Sequence, residues 1–239
     1  MRTSLDHRGL TLLHERAVWH AASRTLWVAD VHLGKAAAFR ALGQPVPTGT
    51  TRENFARLTA LIERCGAERL IFLGDLFHSR HAHAPWLARA FHDWREHHRA
   101  LNVVLIRGNH DHRAGDPSPE MRIAMTNEPS LIGAIEGRHY PLDEADALQS
   151  GATVLAGHLH PAVRLRGRGH DSLRCPCFVL QGRQIVLPSF GEFTGGSVVA
   201  MGPTTRAVAL TDAGLITIDG DGRLDDGPAL SATQASAHM

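Results

Sequence analysis

The sequence predicts an α/β sandwich in which a largely parallel sheet packs on a mixed or antiparallel one. Three observations predict it. Strand-like apolar runs alternate with helical patterns over residues 10–106, and strand-like runs dominate over 153–218. Four short polar blocks each directly follow one of those runs. They are Asp30-Val31-His32, Gly74-Asp75, Gly108-Asn109-His110-Asp111 and Gly157-His158-Leu159-His160.

Residues 10–13 and 17–19 are short strands separated by His14-Glu15-Arg16, and 26–29 is a third strand that ends at Asp30. The Pro- and Gly-rich segment 43–49 is a loop. Thr50 and Glu53 have capping-box spacing, which satisfies orphan backbone donors at a helix start. Phe55, Leu58, Leu61 and Ile62 follow at helical spacing, and Gly66 stands where a C-terminal cap belongs. Residues 70–73 form a strand that delivers Gly74-Asp75. Pro85 suits the first turn of a second helix, whose stripe of Leu87, Ala90, Phe91 and Trp94 is core. Residues 103–106 deliver the Asn109 block, 115–119 is a loop, 131–135 a short strand, and 153–156 deliver Gly157-His158. Residues 178–180 and 184–187 flank Gly182 as a hairpin, followed by strands at 198–201, 207–210 and 215–218. No repeat or second domain interrupts this pattern, so one domain is expected over 1–224, with a frayed tail at 225–239.

A chain of 239 residues with 43% hydrophobic content can build one core of this kind. The net charge of +1 gives no global field toward nucleic acid or membrane, so a nucleic-acid partner has to be met by a local patch. Lys35 is the only lysine, and the remaining cationic side chains are arginines. Cys65, Cys175 and Cys177 are too few for a disulfide framework. Cys175-Pro176-Cys177 also lacks the two-residue spacer of a redox or zinc pair, so reduced thiols are expected. There are 17 histidines, several of them (His92, His97, His98) on helix surfaces. No segment approaches the roughly 20 apolar residues of a membrane span or the apolar core of a signal peptide. A cytoplasmic protein with no membrane partner is expected.

The four blocks carry the chemistry. Ligand sites form at the carboxyl ends of parallel strands, so side chains placed there converge. Asp30 and His32, two apart in an extended segment, can face one ion. The Asp75 carboxylate can bridge two ions, Asn109 offers an amide oxygen, and His158 and His160 can each serve a different ion. Any one block alone is more simply a turn or a capped helix. Their joint occurrence at successive strand ends predicts a site for two divalent metals. Mixed oxygen and nitrogen ligands suit Mn, Fe or Zn better than Ca or Mg.

The blocks, in this order, resemble the binuclear, calcineurin-like metallophosphoesterase superfamily. That resemblance implies a four-layer α-β-β-α sandwich of two mixed sheets flanked by helices. It also implies a further lone histidine ligand, for which His139 is the candidate and His112 the rival. Gly74-Asp75-Leu76-Phe77-His78-Ser79, Gly157 to Pro161 and the stretch from Leu187 to Gly196 resemble the ligase-associated DNA damage response endonucleases more closely. In that family an acidic residue is expected where this chain has Tyr140. The finer resemblance implies manganese-dependent DNA endonuclease activity in bacterial repair, single-stranded DNA as the favoured substrate, and association with a ligase, a helicase and an exonuclease. A homodimer is left open.

The expected chemistry is attack on phosphorus by a metal-bridging hydroxide. His110, beside Asn109, is the expected general acid, and Asp111 is expected either to orient its ring or to be a simple helix or turn cap, with the orienting role slightly favoured. His78 and Arg113 are candidate substrate-phosphate contacts, while His81 and His83 read as surface residues. Arg164, Arg166 and Arg168 alternate and, with Arg174, either track a nucleic-acid backbone or form a solvated loop; the loop is favoured because no aromatics are interleaved. The competing functions are a phosphohydrolase for nucleotides, sugar-nucleotide pyrophosphates or phosphomonoesters, and a non-catalytic scaffold of the same fold.

Overall fold

A computed structural model describes residues 2–46, 49–79, 84–166, 172–192 and 194–220. The expected tail at 225–239, along with His81, His83 and Arg168, lies outside the described residues.

In chain order the strands begin with β1 (Ser4–His7), β2 (Leu10–Leu13), β3 (Ala17–His20) and β4 (Thr25–Val28). Helices α1 (Lys35–Ala41) and α2 (Thr50–Cys65) lead to β5 (Arg69–Leu73), α3 (Pro85–His97) to β6 (Asn102–Ile106), and α4 (Asn109–Ala114) to β7 (Ala124–Thr126). The second half runs β8 (Ser130–Ile132), β9 (Ile135–Gly137), α5 (Glu144–Gln149), β10 (Thr153–Ala156), β11 (Pro161–Arg166) and β12 (Ser172–Gln181). It ends with β13 (Gln184–Val186), β14 (Ser197–Val198), β15 (Thr205–Thr211) and β16 (Gly214–Ile218).

Two sheets result, as the sequence predicts for an α/β sandwich. The first has the order β1-β2-β3-β4-β5-β6-β7. It is mixed rather than largely parallel, because β1 to β4 form an antiparallel meander and only β4 to β7 pair in parallel. Short turns such as Arg8-Gly9, with φ of 52° and 78°, permit that meander. The second sheet is also mixed, in the order β14-β11-β12-β13-β10-β9-β8, with β15 and β16 joined through β12.

Alternation along the central strands divides the apolar side chains between two cores. Leu26, Val28, Leu70, Phe72, Val103 and Leu105 face α2 and α3, meeting Phe55, Leu58, Phe91 and Trp94. Trp27, Ile71, Leu73 and Ile106 face the second sheet, meeting Leu155, Phe178, Ile185 and Val208. The central strands are therefore apolar on both faces, which is why they read as continuous runs rather than alternating ones. Phe55 stacks on Trp94 with ring centroids 5.5 Å apart, and this fixes α2 against α3. On the outer face of the second sheet, α5 closes over the β12–β13 turn.

Several local expectations need correction. The capping box at Thr50 does not form. Gly49 is the N-cap, with φ of 97°, and no side chain caps the helix. The segment expected as one strand at 131–135 is the β8–β9 hairpin, bent at Gly133 with φ of 65°. The strand expected at 198–201 shortens to Ser197–Val198. Arg164 lies in a regular strand, β11, and not in a loop. Among the described residues, no helix is long and apolar enough to cross a membrane.

Candidate metal centre

Strands β4, β5 and β6 end side by side in the first sheet, and β9 and β10 end side by side in the second. The residues just past these ends meet between the sheets. The first sheet supplies Asp30, His32, Asp75 and Asn109, and the second supplies His139, His158 and His160. The structure thus brings together all seven side chains expected to hold metal.

They form two groups. In the first, His32 Nε2 lies 3.2 Å from His160 Nε2, and His160 Nε2 lies 3.5 Å from Asp30 Oδ1. In the second, His139 Nε2 lies 3.1 Å from both Asn109 Oδ1 and His158 Nδ1. Asp75 stands between them. Its Oδ2 is 3.8 Å from His32 Nε2, and its Oδ1 is 3.5 Å from His139 Nε2. One carboxylate oxygen therefore faces each group, as a bridging ligand requires.

The residues fit a pair of divalent cations. Asp30 Oδ1 is buried without a hydrogen-bond donor, an arrangement that is costly unless a cation satisfies it. In each group imidazole nitrogens point at one another, so their lone pairs converge on a common centre. Burial, with the nearby Lys35 ammonium adding to it, drives His32 far below its usual pKa and keeps it in the neutral, ligating form. Burial, followed by His139, also lowers His158. His160 differs: burial pulls it down, but the Asp30 carboxylate 3.5 Å away outweighs that and raises it. Burial pushes the Asp75 carboxyl above its ordinary value.

The backbone reaches this arrangement by a route that differs from the expected one. Asp30, His32, Asp75, His158 and His160 all have positive φ, between 45° and 71°. The Asp30–His32 segment is thus not extended. Non-glycine residues held in this region cost about 1–3 kcal/mol each and persist only where their surroundings over-determine them. Those surroundings are visible here. Asp30 N–H donates to Gly74 O at 3.2 Å, His32 N–H to Asp75 O at 2.9 Å, and His158 N–H to Asp30 Oδ2 at 2.9 Å. The Ser189 hydroxyl donates to Asp30 O at 2.7 Å.

The glycines of the blocks make room for the ligands. A Cβ on Gly74 would lie 2.2 Å from His139 Nδ1, and one on Gly108 would lie 2.3 Å from Asp75 Oδ1. Gly108→Ala is therefore expected to displace the bridging carboxylate. We expect a loss of about 10- to 100-fold in turnover of bis(p-nitrophenyl) phosphate, the size seen when a ligand's support is removed, with native circular dichroism. Unchanged turnover in this variant would contradict the packing argument.

His110 and His78 adjoin the metal groups. His110 N–H donates to Asp75 Oδ1 at 2.9 Å, and its Nε2 is 4.0 Å from Asp75 Oδ2. Its Nδ1 pairs with the carbonyl oxygen of His78 at 2.8 Å. The His78 ring stacks on the His110 ring, with centroids 5.0 Å apart.

This corrects the expected role of Asp111. Its buried carboxylate accepts from Phe77 N–H at 2.9 Å and Gly108 N–H at 3.0 Å. It caps α4 and ties that helix to the β5 loop, while His78 orients the His110 ring. Burial raises the Asp111 pKa to about 6, against those two hydrogen bonds.

His112 is exposed on α4 and away from both groups, whereas His139 is fully buried within one. Glu128 accepts from His139 N–H at 2.6 Å and Tyr140 N–H at 2.9 Å. An acidic group thus supports this turn from elsewhere in the chain, and Tyr140 packs on the His158 ring at 4.4 Å. Arg113 is exposed on the rim of a cleft of about 390 Å³ shared with Arg107, Asn109 and Tyr140.

Sequence reasoning missed Lys35. It begins α1, its Nζ donates to Thr194 O at 3.3 Å, and its charge bears on Asp30, Asp75, His32 and His160. Its position three residues after His32 was the available signal.

A two-sheet sandwich with carboxylates, an amide and imidazoles gathered at its strand ends defines a metal-dependent phosphoesterase. A sequence model of the calcineurin-like phosphoesterase family matches residues 23–171, and the chain belongs to that family. Among solved structures, it is similar to a Pseudomonas putida nuclease, MPE, at 41% identity and a TM-score of 0.74, covering 87% of this chain and 96% of the other. The Escherichia coli phosphoesterase YfcE matches at 18% identity and a TM-score of 0.34, over 84% of this chain and 96% of that one. No curated protein matches.

Proposed function

We propose that this protein is a divalent-metal-dependent phosphodiesterase that cleaves DNA internally, in bacterial DNA repair. The observation that carries the chemistry is the Asp75 carboxylate standing between two imidazole-rich groups, with His110 beside it. The likeness to a nuclease over most of the chain supports a nucleic-acid substrate. The resemblance of residues 74–79 and 187–196 to the ligase-associated endonucleases implies manganese as the metal, and a place beside a ligase, a helicase and an exonuclease.

Asp30, His32, His160 and Asp75 Oδ2 would hold one ion; Asp75 Oδ1, Asn109, His139 and His158 would hold the other. When bound, such a pair supplies hydroxide near neutral pH and positive charge for the phosphate oxygens. The chain's own residues do the rest. The carbonyl of His78 accepts from Nδ1–H of His110, so Nδ1 keeps its proton and Nε2 is the atom that passes a proton to the leaving oxygen, from the cationic ring. The His110 side chain is 29% exposed, so a substrate can reach it. Lys35 and His78 flank the site and suit the remaining phosphate oxygens.

The test is incubation with Mn²⁺ and single-stranded DNA, duplex DNA, RNA and small phosphodiesters in parallel. Internal cleavage of single-stranded DNA is expected. Turnover of small diesters with no cut in any DNA would remove the endonuclease reading and leave the phosphoesterase.

A further inference from the structure

Arg164 and Arg174 stand directly opposite each other across the antiparallel β11–β12 ladder. Both are exposed, and among the described residues neither is ion-paired with a carboxylate. Like charges in register on neighbouring strands destabilise a sheet. A local rule broken with no carboxylate partner among the described residues points to a position kept for function.

Arg174 brings the pair toward the His160 side of the metal centre. Arg174 lines a cavity of about 250 Å³ together with His160, Arg16, Glu192 and Thr194. A Cβ on Gly196 would lie 3.0 Å from His160 O and 3.1 Å from Arg174 Nη2, so the absence of a side chain lets the guanidinium approach the loop that holds His160. Glu192 is the acidic group in this cavity. Arg16 at 3.3 Å and Arg57 at 2.7 Å both pair with it and more than balance its charge, so Arg174 adds to a net positive field.

We propose that Arg164 and Arg174 bind backbone phosphates of the DNA strand flanking the scissile one, on the His160 side of the centre. Two planar forks in register suit phosphate oxygens, which would also relieve the repulsion between them. Phosphate contacts position a strand without reading its bases, so the missing aromatics do not count against this role. The register across β11 and β12 thus reverses the reading of this segment as a solvated loop. The proposal rests on the nucleic-acid reading above.

Binding of a labelled single-stranded oligodeoxynucleotide, followed by anisotropy in EDTA, is the test. Each phosphate contact on a single strand contributes about 0.7 to the slope of log K against log salt. R164A/R174A is expected to lower the slope by about 1.4, and R164K/R174K to restore it. A purely structural pair predicts an unchanged slope and a raised melting temperature on removal of the repulsion. An unchanged slope in the double alanine variant overturns the proposal and leaves the DNA reading in place. Wild-type protein that hydrolyses bis(p-nitrophenyl) phosphate but neither binds nor cuts oligonucleotides overturns both.

Discussion

Asp75→Asn is expected to reduce phosphodiester turnover by about a thousandfold, because one side chain serves both metal groups. A bridging carboxylate removed from a binuclear centre forfeits several kcal/mol of transition-state charge stabilisation, and about 4 kcal/mol is a thousandfold. The same change is expected to leave the metal-free protein no less stable. Asp75 is buried beside a second buried carboxylate, Asp30, and burial raises its pKa. A carboxyl raised in the folded state stabilises the fold below its unfolded pKa, and that contribution is lost as pH rises through the folded value. The variant replaces a carboxylate whose charged form burial disfavours in the metal-free protein with a neutral amide. Added Mn²⁺ should raise the wild-type melting temperature, since a ligand that binds only the folded state stabilises it. The variant should lose most of that rise. Calorimetry with and without metal, beside turnover of bis(p-nitrophenyl) phosphate, checks both halves. A variant that still takes up two ions with unchanged affinity would show that Asp75 does not bridge.

Much of this centre was legible because the fold uses one spacing repeatedly. Asp30, Asp75, His139 and His158 each stand two residues beyond the last residue of β4, β5, β9 and β10. The block at Asn109 follows β6 by three. His139 was harder to place than the others because the hairpin turn at Gly133 breaks its strand, so the expected segment ended before β9 does. The left-handed backbone at five ligands was not legible. Asp and His adopt that region more often than most residues but still rarely, and what holds them there is a set of hydrogen bonds from distant segments. The role of Asp111 failed for a related reason. The cap on Gly108, three residues back, was the alternative the sequence offered, but the contact with Phe77 spans 34 residues and no local pattern encodes it. Lys35 was seen only as an oddity of composition, because α1 has neither a capping side chain nor an apolar stripe long enough to announce a helix.

His110→Ala is expected to separate substrates by their leaving groups. A sugar alkoxide needs a proton as it departs, and a general acid contributes about 10²- to 10⁴-fold to such a step. A p-nitrophenolate departs without one. The variant should therefore lose DNA cleavage by that factor and lose much less turnover of bis(p-nitrophenyl) phosphate. The geometry makes the comparison clean. Asp75 Oδ1 is held by the backbone N–H of residue 110, and that bond survives removal of the side chain. The Asp75 carboxylate should stay in place, and metal uptake measured by calorimetry should be unchanged. The ring's stacking on His78, its hydrogen bond to His78 O and its edge contact with His32 go with the side chain, and His78→Ala in the same assays tests the stacking apart from the proton. Equal losses on both substrates would instead assign His110 to ordering the centre. Full retention on DNA would remove it from the reaction.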